Sequence, residues 1–153
     1  MDNHLLRITV KELFYSAMML RLNRLVNVEY IFPADEGGRA RELSEVKQTL
    51  RKKKLLKESA KGDVSMSLTL MACAIMCSNP EKCTIREAEG YYATAYGVAG
   101  SYMLLEKEDE GELAVSWYKD EETLKEYLSG KLNADGTETD GEEEVRDNGG
   151  ANL

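Results

Sequence analysis

The spacing of apolar residues changes at Pro80, and this change constrains the fold more than any other feature of the sequence. Before Pro80, apolar side chains recur every three to four residues, which is the period of a helix. After Pro80 they alternate along short segments that are separated by glycines and acidic residues, which is the period of half-buried strands. Helices in the first half and hairpins in the second predict an α+β fold with an antiparallel sheet.

Three helices are predicted before Pro80. The first starts at Thr9, which has Glu12 three residues later in the pattern of a capping box, and an apolar stripe runs along it. The second covers roughly residues 38–56. The third starts near Ser65 and stops before Pro80, because the residue that precedes a proline is disfavoured in the helical conformation.

The third helix is apolar around nearly its whole circumference. A stripe with helical spacing consists of Leu68, Met71, Ala72, Ile75 and Met76. Methionine and cysteine fill much of the remaining surface, and no charged residue stands between Asp63 and Glu81. A helix of this kind either lies centrally in the core, which is the simpler interpretation, or is covered by a partner.

The alternating segments after Pro80 predict an antiparallel meander that is followed by one helix. "CTIREA" and "YYATAYGVAGSYMLLEKE" precede the turn "DEG", and "ELAVSWYK" places Leu113, Val115 and Trp117 on one face. "DEETLKEYLSGKL" is a helix that Asp120 caps and Gly130 ends. The predicted fold class is therefore α+β, with N-terminal helices packed on an antiparallel β-meander and a C-terminal helix.

Charge divides the chain, whose net charge is −8, into three parts. Residues 1–60 hold 12 Lys/Arg and 8 Asp/Glu, residues 61–132 hold 7 and 13, and residues 133–153 hold 1 and 7. The last part has one valine and one leucine, too few apolar groups to offset the entropy of ordering. We expect residues 1–132 to form one α+β domain and residues 133–153 to form a disordered acidic tail. That tail either solubilises the chain or covers a basic face.

The sequence carries no recognisable catalytic or metal-binding motif. His4 is the one histidine, so serine and cysteine nucleophiles have no convincing base, and "GG" at 37–38 lacks the rest of a phosphate-binding motif. Cys73, Cys77 and Cys83 fall short of the four ligands that zinc usually takes, and we expect them to be buried thiols. We predict no enzyme activity, no metal and no cofactor. A small enzyme with a dispersed site is the third-ranked alternative.

The location of the chain is also predicted from its sequence. No run of 18 apolar residues occurs, so no membrane insertion is expected. The first residues lack the basic segment and the continuous apolar core of a signal peptide. We therefore expect a cytoplasmic protein.

A basic cluster lies at the end of the second helix and consists of Arg51, Lys52, Lys53, Lys54 and Lys57. Two helices, this cluster and a later hairpin have the order of a winged-helix DNA-binding regulator. However, the third helix has no charge with which to read bases or bind phosphates, and "EKEDEGE" in the hairpin would repel DNA. DNA binding is therefore the alternative interpretation. The cluster is better explained as a helix cap with a solvated or protein-facing patch.

Seven residues are candidates for contact with a protein partner. They are Met66, Met71, Tyr91, Tyr92, Tyr96, Tyr102 and Trp117. Methionine adapts to varied helical surfaces, and tyrosine and tryptophan are enriched at interfaces. Packing within the sheet is the other explanation for the tyrosines.

Two segments, "ITVKELFYSAMMLRLNRLV" and "LRKKKLLKESAKGDVSMSLTLMACAIMCSNP", carry a family resemblance. The shared pattern is a helix that starts at Thr-x-x-Glu-Leu, then Leu-x-x-x-x-Leu-Leu and a polar turn, then a Leu- and Met-rich helix that ends before proline. Antiparallel strands follow. Over residues 7–118 this order resembles one half of the EspG-like chaperones and accessory proteins of type VII (ESX) secretion systems.

The resemblance implies a non-enzymatic, cytoplasmic chaperone or adaptor that binds a helical secreted substrate. EspG-like chains have two similar halves, and this chain has the length of one. The difference suggests a homodimer or a smaller adaptor.

Overall fold

The structure is a computed structural model that describes residues 4–132, 139–144 and 151–152, with side chains from Leu6 to Leu132. Within these residues the α-helices are α1 (Val10–Met19), α2 (Glu36–Lys52), α3 (Leu68–Ser78) and α4 (Glu121–Leu132). The strands are β1 (His4–Thr9), β2 (Arg24–Leu25), β3 (Leu56–Glu58), β4 (Val64–Met66), β5 (Lys82–Ala88), β6 (Tyr91–Val98), β7 (Ser101–Lys107), β8 (Glu112–Tyr118), β9 (Thr139–Glu144) and β10 (Ala151–Asn152).

The main sheet is antiparallel and has the strand order β1-β8-β7-β6-β5, with β9 paired at the β5 edge. Strands β5 to β8 follow one another along the chain and form the predicted meander. The segment "YYATAYGVAGSYMLLEKE" divides into β6 and β7 at Ala99 and Gly100, which have φ values of 52° and 82°. Two successive residues with positive φ are typical of a tight hairpin turn. The predicted α+β fold with an antiparallel meander is confirmed.

Strand β1 is not predicted from the sequence. It pairs with β8 and directs Leu6 and Ile8 into the core, while Arg7 between them forms an ion pair with Glu108 on the surface. Only these few residues alternate before the helix begins at Val10, so the period-2 signal is short. The partner strand lies about a hundred residues away in sequence, and local spacing gives no information on that pairing.

Two short segments of the predicted acidic tail are among the described residues. Thr139–Glu144 pairs along β5, and Ala151–Asn152 pairs with β2. Residues 133–138, 145–150 and 153 lie outside the described residues. Strand pairing uses backbone groups, so a segment without apolar side chains can still be held at an open sheet edge.

The connection between α2 and α3 is a β-hairpin rather than a simple turn. Strands β3 and β4 pair around Ser59, whose Oγ accepts hydrogen bonds from the amides of Lys61 and Asp63 at 3.3 and 3.1 Å. Gly62 has a φ of 86°, a conformation that favours glycine. A helix-turn-helix has a turn of three or four residues, so this arrangement differs from the winged-helix alternative. The later hairpin in that alternative corresponds to β7–β8, and it lies inside the main sheet.

The sheet separates two apolar layers. Helices α1 and α3 pack on one face, and α2 packs on α1. Helix α4 packs on the other face, against β7 and β8. The predicted Asp120 cap is confirmed, since its carboxylate accepts from the Thr123 amide at 2.8 Å. However, α4 continues past Gly130, because Leu132 is buried and extends the contact with the sheet.

The predicted capping box at the start of α1 is confirmed, and its glutamate has a second role. The Thr9 amide donates to the Glu12 carboxylate at 2.9 Å, and the Glu12 amide donates to Thr9 Oγ1 at 3.0 Å. Glu12 is 3% exposed. Its carboxylate also accepts from Thr49 Oγ1 and from Lys53 Nζ, both at 2.6 Å. One buried carboxylate therefore joins the start of α1 to the end of α2.

The surroundings of Glu12 determine how its charge affects stability. Burial raises its pKa, but hydrogen bonds from Lys53, Thr49 and the Thr9 backbone, with the Lys53 charge, outweigh burial and lower the pKa below its ordinary value of 4.5. A carboxylate with a lowered pKa contributes stability that is present above the unfolded-state pKa. That contribution is lost as pH falls through the folded-state pKa.

We expect Glu12→Gln to lower the free energy of unfolding by about 1–3 kcal/mol near neutral pH, because Lys53 and Thr49 lose a charged acceptor. The difference from wild type should shrink below about pH 4.5, where the wild-type carboxylate becomes protonated. Urea denaturation at several pH values measures both effects. Glu45→Gln, an exposed position on α2, is the matched control and should change little. A Glu12→Gln difference that is constant down to acid pH would contradict this explanation.

Candidate functional site

Helix α3 has two apolar faces with different surroundings. Ser67 caps the helix, since its Oγ accepts from the Leu70 amide at 3.1 Å. The inward face consists of Leu70, Cys73, Ala74 and Cys77, each 0% exposed. Three of these four side chains are small, which allows close contact with α1 and with the sheet.

The outward face of α3 is also apolar, and it is open to solvent. It consists of Leu68, Met71, Ala72 and Ile75, which follow the spacing i, i+3, i+4 and i+7. Leu68 is 81% exposed and Ile75 is 48% exposed. Ala72 is exposed and Met71 is half-buried. We call these four residues the α3 outer face.

The sequence leaves two alternatives for α3, a central position in the core or a surface that a partner covers. The structure buries one face of the helix in the core and leaves the other exposed. Spacing singles out the stripe from Leu68 to Met76, but the core contacts the face that Cys73 and Ala74 occupy. Periodicity does not distinguish two faces that are both apolar. The signal that points to an outer apolar face is the absence of charge, because a solvent-facing helix normally carries polar residues on that side.

Other exposed apolar side chains lie on elements next to α3. Met18 on α1 is 37% exposed, and Val64 on β4, three residues before the Ser67 cap, is 45% exposed. Helix α3 contributes no charge to this region, since the nearest charged residues in sequence are Asp63 and Glu81. A contiguous apolar stripe such as the α3 outer face marks an interaction surface more often than scattered apolar side chains do.

The structure does not bring the seven predicted partner-contact residues onto one surface. Met71 belongs to the α3 outer face, and Met66 is half-buried on β4, opposite Leu56. Trp117 is half-buried and packs against the core beneath the helices. Tyr96 is fully buried in that core, where its hydroxyl donates to the Val26 carbonyl at 2.6 Å.

The other three tyrosines lie on both faces of the sheet. Tyr91 and Tyr102 pack on the α4 side, and the Tyr91 hydroxyl donates to the Glu106 carboxylate at 2.7 Å. Tyr92 lies on the side of α1, beside an opening in that layer. Burial raises the pKa of Tyr91, and the hydrogen bond to Glu106 raises it further, so this phenol stays protonated.

The buried Glu106 carboxylate lies beneath α4. The carboxylate accepts hydrogen bonds from the hydroxyls of Tyr91 and Tyr127, and the Tyr127 hydroxyl lies 2.8 Å from Glu106 Oε2. These hydrogen bonds attach α4 to the sheet, and Glu106 is 5% exposed. Among the described residues, no group of three or more His, Cys, Asp or Glu is placed to hold a metal ion.

The three cysteines are free and buried, as predicted. Burial raises the pKa of the Cys77 thiol well above its usual range, and a hydrogen bond with Cys73 adds to that shift. A thiol with a raised pKa is a poor nucleophile. Cys73 and Cys77 pack on the inner face of α3, and Cys83 packs on β5.

The basic cluster lies on the surface, but two of its members are engaged within the fold. Arg51 forms an ion pair with Glu58 on β3. Lys53 binds the buried Glu12 and donates to the Arg7 carbonyl at 3.2 Å. Lys52, Lys54 and Lys57 are exposed. Arg51 and Lys52 lie in the last turn of α2, where positive charge is favourable, and the helix-cap role of the cluster stays a prediction.

Comparison with known proteins finds no family model that matches the chain and no curated protein with significant sequence similarity to it. None of the helices in the described part of the chain has both the length and the apolar character required to cross a membrane.

The assignment of the two α3 faces predicts opposite results for one substitution at two positions. Ala74→Leu should lower the free energy of unfolding by about 1–3 kcal/mol, because the added atoms have no space in a packed interior. Ala72→Leu, on the outer face, should change it by about 0.5 kcal/mol or less. Denaturant unfolding of both variants measures the difference. Equal destabilisation at the two positions would show that the outer face is packed against something within the fold.

Proposed function

We propose that this chain is a non-catalytic protein-binding domain, and that the α3 outer face binds an amphipathic helix of a partner protein. The observation that carries the proposal is the exposure of Leu68 and Ile75 on a helix with no charged residue. An isolated exposed leucine is ordinary, but a stripe at helical spacing is the contact surface that two packed helices use.

The composition of the stripe fits a helical partner. Ala72 lies between larger side chains, so it leaves a depression into which a side chain of a second helix fits. Met71 is flexible and polarisable, which suits contacts with partners of varied sequence. Helix-in-groove recognition uses the same i, i+3, i+4, i+7 spacing on the bound helix.

A finer proposal follows from the sequence resemblance. An EspG-like chaperone or adaptor of a type VII-like secretion system would hold a helical secreted substrate in the cytoplasm, and an apolar helix face is suited to that role. Since the chain has the length of one half of such chaperones, a homodimer is part of this proposal.

The test compares protein capture by the wild-type chain with capture by two variants. Leu68→Ser with Ile75→Ser removes the two most exposed side chains of the α3 outer face. Ile31→Ser is the matched control, because Ile31 is 91% exposed but lies in the loop between β2 and α2. Cross-linking from native cytosol, with mass spectrometry of the captured proteins, gives the comparison.

We expect wild type and Ile31→Ser to retain the same helical partner, and the double variant to lose it. The double variant should keep its unfolding transition, since exposed positions affect stability little. Light scattering of all three proteins reports self-association. A partner that the double variant retains at the wild-type level would refute binding through this face.

A further inference from the structure

A cavity of about 400 Å³ lies at one end of the sheet, on the side that α1 covers. Its apolar wall consists of Val10 at the start of α1, Val28, and Leu105 and Leu113 on neighbouring strands. Its volume is within the range of small-molecule sites. The α3 outer face contributes no residue to it, so it is a separate feature of the molecule.

The segment after β2 forms one side of this cavity, and hydrogen bonds fix its position. The Val26 amide donates to the Cys77 carbonyl at 2.8 Å, and the Val26 carbonyl accepts from Tyr96. Asn27 follows with a φ of 57°, in the left-handed region that asparagine tolerates better than most residues. This conformation places the Asn27 amide group against β6.

The Asn27 side chain contacts two hydroxyl groups of β6 that line the cavity. Its Nδ2 donates to Thr94 Oγ1 at 2.8 Å and to the Tyr92 hydroxyl at 3.1 Å. Thr94 is 3% exposed. Each hydroxyl therefore accepts a hydrogen bond, and within the described residues neither donates its own hydrogen to a protein group. Two donors remain unused at the cavity.

The number of unused donors does not depend on which way the Asn27 amide is turned. If Nδ2 donates to both hydroxyls, the two O–H groups remain. If Oδ1 accepts from both hydroxyls instead, the two N–H groups of the amide remain. Thr94 is buried and Tyr92 is half-buried. Hydrogen-bond donors on a cavity wall that have no protein acceptor match a ligand that supplies acceptor oxygens.

Lys107 adds a positive charge to the same lining. It is exposed, and its Nζ lies 4.5 Å from the centroid of the Tyr92 ring. An ammonium group beside two hydrogen-bond donors matches a carboxylate. Glu29, exposed on the lining, adds one negative charge, which disfavours ligands with a second anionic group.

We propose that this cavity binds a small organic monocarboxylate with an apolar body. The carboxylate contacts Lys107 and the donors of the Asn27–Tyr92–Thr94 group, and the apolar body contacts Val28, Leu105 and Leu113. This assignment rests on the geometry of the cavity alone and is independent of the protein-binding proposal.

The test uses hexanoate, hexan-1-ol and hexylamine as probes, because they share the apolar body and differ in the head group. Titration of the full-length chain, followed by amide NMR shifts, gives the dissociation constant of each. We expect hexanoate to shift the amides of Val28, Thr94 and Lys107, to leave Leu128 on α4 unchanged, and to bind at least about fivefold more tightly than the other two probes.

Variants separate specific binding from general apolar binding. Lys107→Met should weaken hexanoate roughly tenfold and leave hexan-1-ol unchanged, since one charge-assisted contact is lost. Lys119→Met, another exposed lysine, is the control and should have no effect. Thr94→Val, which removes a hydroxyl without changing volume, should also weaken hexanoate. Equal affinities for the three probes, no saturation by about 10 mM, or wild-type affinity in Lys107→Met would overturn the proposal.

Discussion

Close packing of α3 through its small residues is the contact on which the rest of the structure depends. Cys73, Ala74 and Cys77 occupy the inner face, and α1, the sheet and the Val26 segment all meet the helix there. Because one alanine and two cysteines face the core here, the larger Leu68 and Ile75 remain on the outside of the helix. The exposed stripe is thus a consequence of how the core is filled, and it gives the molecule an apolar surface.

Both candidate surfaces, the α3 outer face and the cavity, lie on the side of the sheet that α1 and α3 cover. Helices α1 to α3 cover one face, and α4, held by the Glu106 hydrogen bonds, covers part of the other. The α3 outer face lies on the outside of the helical layer, whereas the cavity lies beneath that layer, next to Asn27. The two features share no residue.

Local chemistry predicts the elements well and their mutual contacts poorly. Three local predictions are confirmed: the Thr9–Glu12 capping box, the end of α3 before Pro80, and the alternation of Leu113, Val115 and Trp117. Each depends on residues within a few positions of one another. Strand β1 and the buried contacts of Glu12 depend on partners that are distant in sequence.

The candidate surfaces show the same division. For α3, both faces satisfy the apolar period, so the choice between them comes from the volume available against α1. Tyr92 is a predicted contact residue, yet its place beside Asn27 and Lys107 follows from strand register and from one left-handed residue. Neither is visible in apolar spacing. The predicted contact residues accordingly divide among the α3 outer face, strand β4, the core, the cavity and the α4 side.

The exposure of the α3 outer face is measured most directly by methyl NMR with a water-soluble paramagnetic agent. We expect the methyl signals of Leu68 and Ile75 to broaden strongly, and the methyl signal of Leu70, on the inner face of the same helix, to remain sharp. Addition of a helical partner should then protect Leu68 and Ile75 alone. Equal protection of Leu68 and Leu70 in the isolated chain would contradict the orientation of α3, and with it the binding face proposed for this protein.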